Sequence, residues 1–331
     1  MRPVLSILDP SPIFEGRNAR DALQQTRALA KAADGMRYRS YWVQEHHNTN
    51  SFAGTAPEVL IADLAARTSR LKIGSGGIML PNYSPLKIAE VANTLSALHP
   101  GRTEIGLGRA TGADPRASAA LLGPGAQAFP QMLRMLLDWL LDASGHTALP
   151  DDHRARGIAA RPNADLPDMW MLCSSQESAA FAGAMGLKLA FADFLNPGGA
   201  AAALAAYREA FKPSPFAQNP WCAIGLAALA AKTEEEAQHL ASSMAAWTLR
   251  RTAGHFHPYQ SADDAAVYLR EAPLVQPSRA VIGEAGAVAQ QLLAKAQEAE
   301  ANELFILSIT DGTASRIESY RLIDQAWAEL T

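Results

Sequence analysis

The chain has little cysteine, little net charge and no long hydrophobic run, and each shortage narrows the field. Only two cysteines stand among 331 residues, Cys173 and Cys222, both inside apolar runs. A disulfide framework of the kind that staples small secreted domains is therefore not expected. The formal charge is −4, which offers no electrostatic footprint for nucleic acid or an anionic membrane. No segment approaches the ~20 apolar residues that cross a bilayer. The opening MRPVLSILDPSP is interrupted at Asp9 and Pro10, before a signal-peptide core is complete. Hydrophobic residues nonetheless make up 48% of the chain, enough for a large core and too many for disorder. The expectation is a soluble, cytoplasmic globular protein.

What is present is one unit, repeated. A helical segment, a short turn and a brief apolar strand recur along the chain. The strands are read at VLSIL (4–8), SYWVQEH (40–46), LKIGSGGIML (71–80), TEIGLG (103–108), MWMLCS (169–174), LKLAFAD (187–193), CAIGLAALA (222–230) and LFILSI (304–309). Between them lie stretches with apolar positions three and four apart, such as RDALQQTRALAKAADGM and PEVLIADLAARTS. After the seventh strand, Thr233 and Glu236 form a capping box. Eight alternating strands, apolar enough to be buried on both faces, imply a parallel sheet. The expected fold is α/β: a single (β/α)8 TIM barrel over residues 1–331, with Pro- and Gly-containing insertions after strands 4 and 7. Such insertions border active sites, and residues 253–280 are expected to act as a lid.

Function in such barrels collects at the C-terminal strand ends: here Asp9, Glu45–His46–His47, Gly76–Gly77, Arg109, Ser174–Ser175, Asp193–Phe194 and Ser308. The stretch YWVQEHHNTN ends a strand in two adjacent imidazoles. Strand alternation sends His46 to one face and Glu45 with His47 to the other, so the two histidines are poorly placed to share a metal. His46 is either an acid/base group beside a reactive centre or a structural histidine on a loop carbonyl. GLGRATGADP (106–115) resembles a dinucleotide fingerprint but follows the fourth strand, and its third glycine is one residue late. A Rossmann reading fails, leaving Arg109 on a glycine-rich strand end, suited to a phosphate or a flavin oxygen. LCSSQESAAFAGAMG (172–186) passes from strand to helix through three serines, which can cap the helix, bind an anion, or both. The glycines of IGSGGIMLPN (73–82) point to a bulge or a ligand against bare backbone, or simply to packing. Phe14, Phe194, Trp247 and Phe256 are either pocket lining or ordinary core. His255 and His257 suit a lid segment better than a metal site, and no metal is expected.

With these residues laid out, the chain resembles the bacterial luciferase-like flavin monooxygenases over nearly its whole length. The likeness is strongest in YWVQEHHN, SRLKIGSGGIMLPNYSPLKIAE, LHPGRTEIGLGRATGADPR and NELFILSITDGTASRIESYRLI. The resemblance implies a barrel holding reduced FMN, or in some branches a reduced deazaflavin coenzyme, at its C-terminal face. It implies that His46 lies near the flavin's reactive edge and that Gly76–Gly77 occupies the place where several members have a non-proline cis peptide beneath the isoalloxazine. Arg109 matches a phosphate-contacting residue, and Ser174, Ser175 and Ser178 fall where phosphate-binding residues occur. In one departure from the pattern, the nearby glutamate, Glu177, is placed differently. The implied activity is oxidation of a small, apolar organic substrate by oxygen through a flavin hydroperoxide, with Asp9, Phe194 and Phe256 in the substrate pocket. The flavin would be supplied reduced by a separate reductase, to a homodimer. A deazaflavin-dependent hydride transfer and a non-catalytic flavin-binding barrel are the alternatives.

Overall fold

Ten strands form in a computed structural model that describes residues 2–122, 128–253, 257–272 and 279–330. They are β1 (Val4–Asp9), β2 (Ser40–Val43), β3 (Lys72–Ser75), β4 (Ile78–Met79), β5 (Thr103–Gly108), β6 (Asp168–Cys173), β7 (Lys188–Ala192), β8 (Cys222–Ala231), β9 (Val281–Glu284) and β10 (Glu303–Leu307). All pairings are parallel. The order runs β10-β1-β2-β3-β5-β6-β7-β8, and β8 pairs back to β10 and closes the ring. The closed eight-stranded barrel expected from the alternating pattern is thus observed, with helices around it.

Three strand boundaries differ from expectation. β2 stops at Val43, so Gln44 to His47 run on as irregular chain. The third segment is divided by the Gly76–Gly77 peptide, which is cis, into β3 and the short β4 that pairs β5. The insertion after the seventh strand contains β9, which continues the wall along Ala228–Ala231 of β8.

The barrel interior is filled from alternate strand positions by Leu8, Trp42, Trp170, Ala190, Ala223 and Phe305, with Leu172, Phe194 and Trp221 against them. Trp42 lies 3.9 Å from Phe305 and 5.0 Å from Trp170 between ring centres. Such aromatic pairs contribute about 0.5–1.5 kcal/mol beyond the area they bury. Close approach of the barrel interior and the neighbouring strand accounts for the glycines of β3 and its continuation. A Cβ on Gly74 would stand 2.7 Å from Trp42 Nε1, and one on Gly76 would stand 2.6 Å from Leu8 Cδ1. At the barrel floor, Arg39 is held between the buried Glu104 (3.0 Å) and Glu303 (2.9 Å), and Trp42 Nε1 donates to Glu104 at 2.7 Å.

A second buried ion pair ties the last helix, Thr313–Glu329, to the end of β1. Arg316 donates to Asp9 at 2.8 Å, and both side chains are essentially inaccessible. Thr26 (2.7 Å) and Tyr41 donate to the other carboxylate oxygen, and the Ser11 amide to the first. Burial alone would raise the Asp9 pKa, but the Arg316 charge and these donors outweigh it and hold it below its usual value. Removing one partner strands the other in the core. Asp9→Ala is expected to cost about 3–5 kcal/mol, read as a lower midpoint in urea unfolding. A change below about 1 kcal/mol would show that the pair is effectively solvated.

Candidate active site

At the C-terminal mouth lies a cavity of about 1090 Å³. Its lining comes from the loops after β1, β2, β5 and β7, from the middle of β8 and the end of β10, from the helix Glu234–Thr252, and from Tyr259, Arg279 and Ala280 beyond it. His46, Phe52, Trp247 and Tyr259 all face it.

Residues 44–47 are no longer strand, so strand alternation does not place them: Glu45 and His46 have different surroundings, while His47 both bonds Glu45 and lines the cavity with His46. Glu45 is fully buried and turns inward to accept three bonds. They come from His47 Nε2 (2.7 Å), Asn82 Nδ2 (2.8 Å) and the Met79 amide (2.8 Å). His46 faces the other way and stacks on Phe52, 4.5 Å between ring centres. Its backbone N–H donates to Gly54 O, while the His47 N–H donates to Gly112 O. Gly112 has φ +65°, and a Cβ there would lie 2.7 Å from Glu45 O, so glycine is required at that close approach.

Behind His46 the rings continue. Phe52 meets Trp247 (5.5 Å) and Tyr259 (5.9 Å), Trp247 stacks on Tyr259 (5.0 Å), and Phe14 supports Tyr259 from behind (5.6 Å). Trp247 Nε1 donates to Ser51 Oγ at 3.0 Å. The Tyr259 backbone is bonded to Ile13 and Glu15, which fixes this part of the expected lid against the loop after β1.

His46 Nδ1 is buried and has no hydrogen-bond partner among the described residues. Buried polar atoms are nearly always paired, and this unpaired one belongs to a residue of the cavity lining. Burial, followed by the charges of His47 and Arg251, pulls the His46 pKa from 6.5 to about 4. The ring is therefore neutral near pH 7, with one N–H donor and one acceptor nitrogen.

The remaining expected site residues fall into two groups. Phe194 lines the cavity with His46. Arg109, Ser174, Ser175 and Ser178 lie outside its lining, at the neighbouring ends of β5 and β6. The register Leu107↔Met171 sets Arg109 level with Cys173, one residue before Ser174. Arg109, Ser174 and Ser175 are exposed. Ser175 caps the helix Gln176–Ala184 by accepting the Ser178 amide, leaving that helix's first amides at the same corner. Burial pushes the Cys173 thiol up to about 12, which makes it a poor nucleophile.

Gly76 and Gly77 sit over the barrel interior against Leu8 and Leu172. Asp9 does not line the cavity; its carboxylate is sealed beneath, on Arg316. Phe14 is core behind Tyr259. Phe256 and His255 lie outside the described residues. Among the described residues no group of three His, Cys, Asp or Glu could hold a metal ion, and no helix is long and apolar enough to cross a membrane. Sequence reasoning missed Phe52, Tyr259, Arg251 and Arg279 in the lining, because no motif marks residues that meet only through the tertiary fold.

A closed barrel thus carries, just beyond its second strand, two imidazoles in a cavity walled by aromatic rings. The profile of the luciferase-like monooxygenases matches residues 5–303, and the chain belongs to that family. It is 38% identical over 335 residues to the uncharacterized protein YwcH of Bacillus subtilis (strain 168), covering 98% of this chain and 99% of that one. It is 34% identical to the N-acetyl-S-alkylcysteine monooxygenase of the same organism, covering 97% of each. The solved structure of apo-MsnO8 superposes with a TM-score of 0.91 at 32% identity, covering 99% of this chain and 98% of that one.

A neutral His46 has a consequence for stability. Its pKa is lower folded than unfolded, so its contribution is complete above about pH 6.5 and is lost as pH falls toward 4. His46→Gln, which cannot titrate there, is expected to flatten the decline in unfolding free energy between pH 6.5 and 4. Identical pH slopes for variant and wild type in urea titrations would contradict the lowered pKa.

Proposed function

We propose that the protein is a flavin-dependent monooxygenase that uses reduced FMN and oxygen to oxidise a small, largely apolar organic molecule. The observation that carries this reading is the buried imidazole of His46, unpaired at Nδ1, in the lining of a cavity walled by aromatic rings at the barrel mouth. Ligand pockets run to about 300–1,000 Å³, so a cavity of about 1090 Å³ is large enough for a flavin ring beside a substrate. The strand-end corner fits the cofactor's phosphate. Arg109 supplies a guanidinium, Ser174 and Ser175 supply exposed hydroxyls, and the helix start supplies amides with Ser178 in its first turn.

Bound reduced flavin supplies the electrons that activate oxygen. The chain's own residues do the rest. His46 holds a proton on one ring nitrogen and offers it, as a hydrogen bond, to a polar group in the cavity. Phe52, Trp247 and Tyr259 exclude water from that group. Phe194 fills the inner edge, resting on bare backbone at Gly225, where a Cβ would stand 2.9 Å from its ring.

Support for the cofactor class comes from barrels of the same fold. One is the oxygenating constituent of 3,6-diketocamphane monooxygenase in complex with FMN (TM-score 0.72, 18% identical). Another is an F420-dependent secondary alcohol dehydrogenase with an F420-acetone adduct (TM-score 0.64, 16% identical). Deazaflavin-linked hydride transfer is therefore the second reading. A separate flavin reductase, a homodimeric state and a cytoplasmic location go with the first.

The deciding measurement loads the protein anaerobically with reduced FMN and mixes it with oxygenated buffer in a stopped-flow instrument. Return of oxidised-flavin absorbance is expected to lag far behind a free-FMN control. Return as fast as free FMN, together with tight binding of a reduced deazaflavin, would favour the second reading. His46→Ala is expected to keep FMN affinity within about threefold while abolishing the lag; a lag of unchanged length would remove His46 from the chemistry. Arg109→Ala is expected to weaken FMN binding by about tenfold or more, the loss of one charged hydrogen bond, measured by flavin fluorescence quenching. An unaltered dissociation constant would free Arg109 from the phosphate.

A further inference from the structure

The cavity that holds His46 also holds charges of both signs, and only one sign is satisfied. Asp114 is taken up by the helix Pro115–Leu121, where it accepts the Arg116 (2.8 Å) and Ala117 (3.2 Å) amides, and by Asn48 Nδ2 at 2.6 Å. Asp193 accepts the Gly198 amide at 3.0 Å. Arg251 and Arg279 face the same space, and among the described residues neither guanidinium has a carboxylate partner. Arg250 turns the other way, onto Glu15 at 3.0 Å. Arg251, four residues and one helical turn beyond Trp247, lies over the indole at 5.1 Å. That contact holds the guanidinium against the ring at the cavity wall, and no hydrogen bond among the described residues occupies its N–H groups.

We propose that Arg251, assisted by Arg279, forms an anion-binding subsite in this cavity, and that the molecule oxidised there carries a carboxylate or comparable acid group on an apolar body. The proposal rests on the oxygenation reading only for the word oxidised; the subsite stands on the lining itself. A planar guanidinium suits a carboxylate, which it can grip through two parallel N–H donors. Its charge reaches the His46 ring and Tyr259, so an acid held at Arg251 keeps its apolar part against Phe52, Trp247 and Tyr259. The reacting atom is thereby brought to His46 from a fixed direction, which is how remote binding energy orients a substrate. The substrate class narrows from apolar molecules in general to amphiphilic acids.

The test uses the full chain and calorimetric titration with (benzylthio)acetate, its primary amide, FMN and riboflavin. The wild type is expected to bind the acid at least about tenfold more tightly than the amide, the difference expected of one charge-assisted contact. In Arg251→Gln/Arg279→Gln that gap is expected to shrink below about threefold, with the amide's affinity unchanged. The double variant should match the wild type in thermal unfolding, since both side chains are exposed. Equal binding of acid and amide to the wild type, or a gap that survives in the variant, overturns the proposal. So does a variant in which FMN loses its advantage over riboflavin, because the arginines would then serve the flavin phosphate. None of these titrations involves oxygen or turnover, so a failed oxygenation assay and a failed subsite give separate results.

Discussion

The carboxylate of Glu45 is the constraint on which the mouth of this barrel depends. It is fully buried and joins three pieces of chain: its own loop through His47, the end of β4 through the Met79 amide, and the following turn through Asn82. A carboxylate removed from water must have such partners. Once it has them, the backbone on either side has no freedom to turn. His46 is then delivered to the opposite side with its orientation decided by the neighbours of Glu45. The imidazole is thus positioned without a side-chain hydrogen bond of its own among the described residues.

Two kinds of support meet at that ring. Polar support comes from short-range chain, within and just after β2. Apolar support comes from far along the sequence, through Trp247 and Tyr259 stacked behind Phe52. Both parts set the ring's electrostatics. Burial desolvates His46, and His47 and then Arg251 add unfavourable positive charge, so the imidazole stays neutral near pH 6.5, where a solvated histidine would be half protonated.

Much of this was legible in the sequence because it depends on period and local chemistry. The eight strands of the ring and their parallel closure follow from the regular alternation of helices and strands. The Gly76–Gly77 pair drew attention as bare backbone, but the cause was readable only in the fold, where Leu8, Trp42 and Leu172 press against it. Asp9 looked like a pocket residue because it ends a strand at the functional face. Its partner Arg316 stands 307 positions away, and no local pattern announces that pairing. β9 was missed for a similar reason: four residues gain strand character only from the β8 edge they pair with.

That edge exists because β8 is longer than its neighbours. Its lower part, Ala223–Ala227, completes the ring with β10, and Ala228–Ala231 continue past it alongside β9. Four residues of strand add about 13 Å of rise, so β8 works as a strut that carries the helix Glu234–Thr252 clear of the rim. That helix brings Met244, Trp247 and Arg251 to the cavity. Headroom over His46 is therefore a matter of strut length, adjustable by inserting or deleting residue pairs in β8 and β9 while the strand-end residues stay in place. A scaffold built this way can change the size of molecule it admits without altering the residues that react with it.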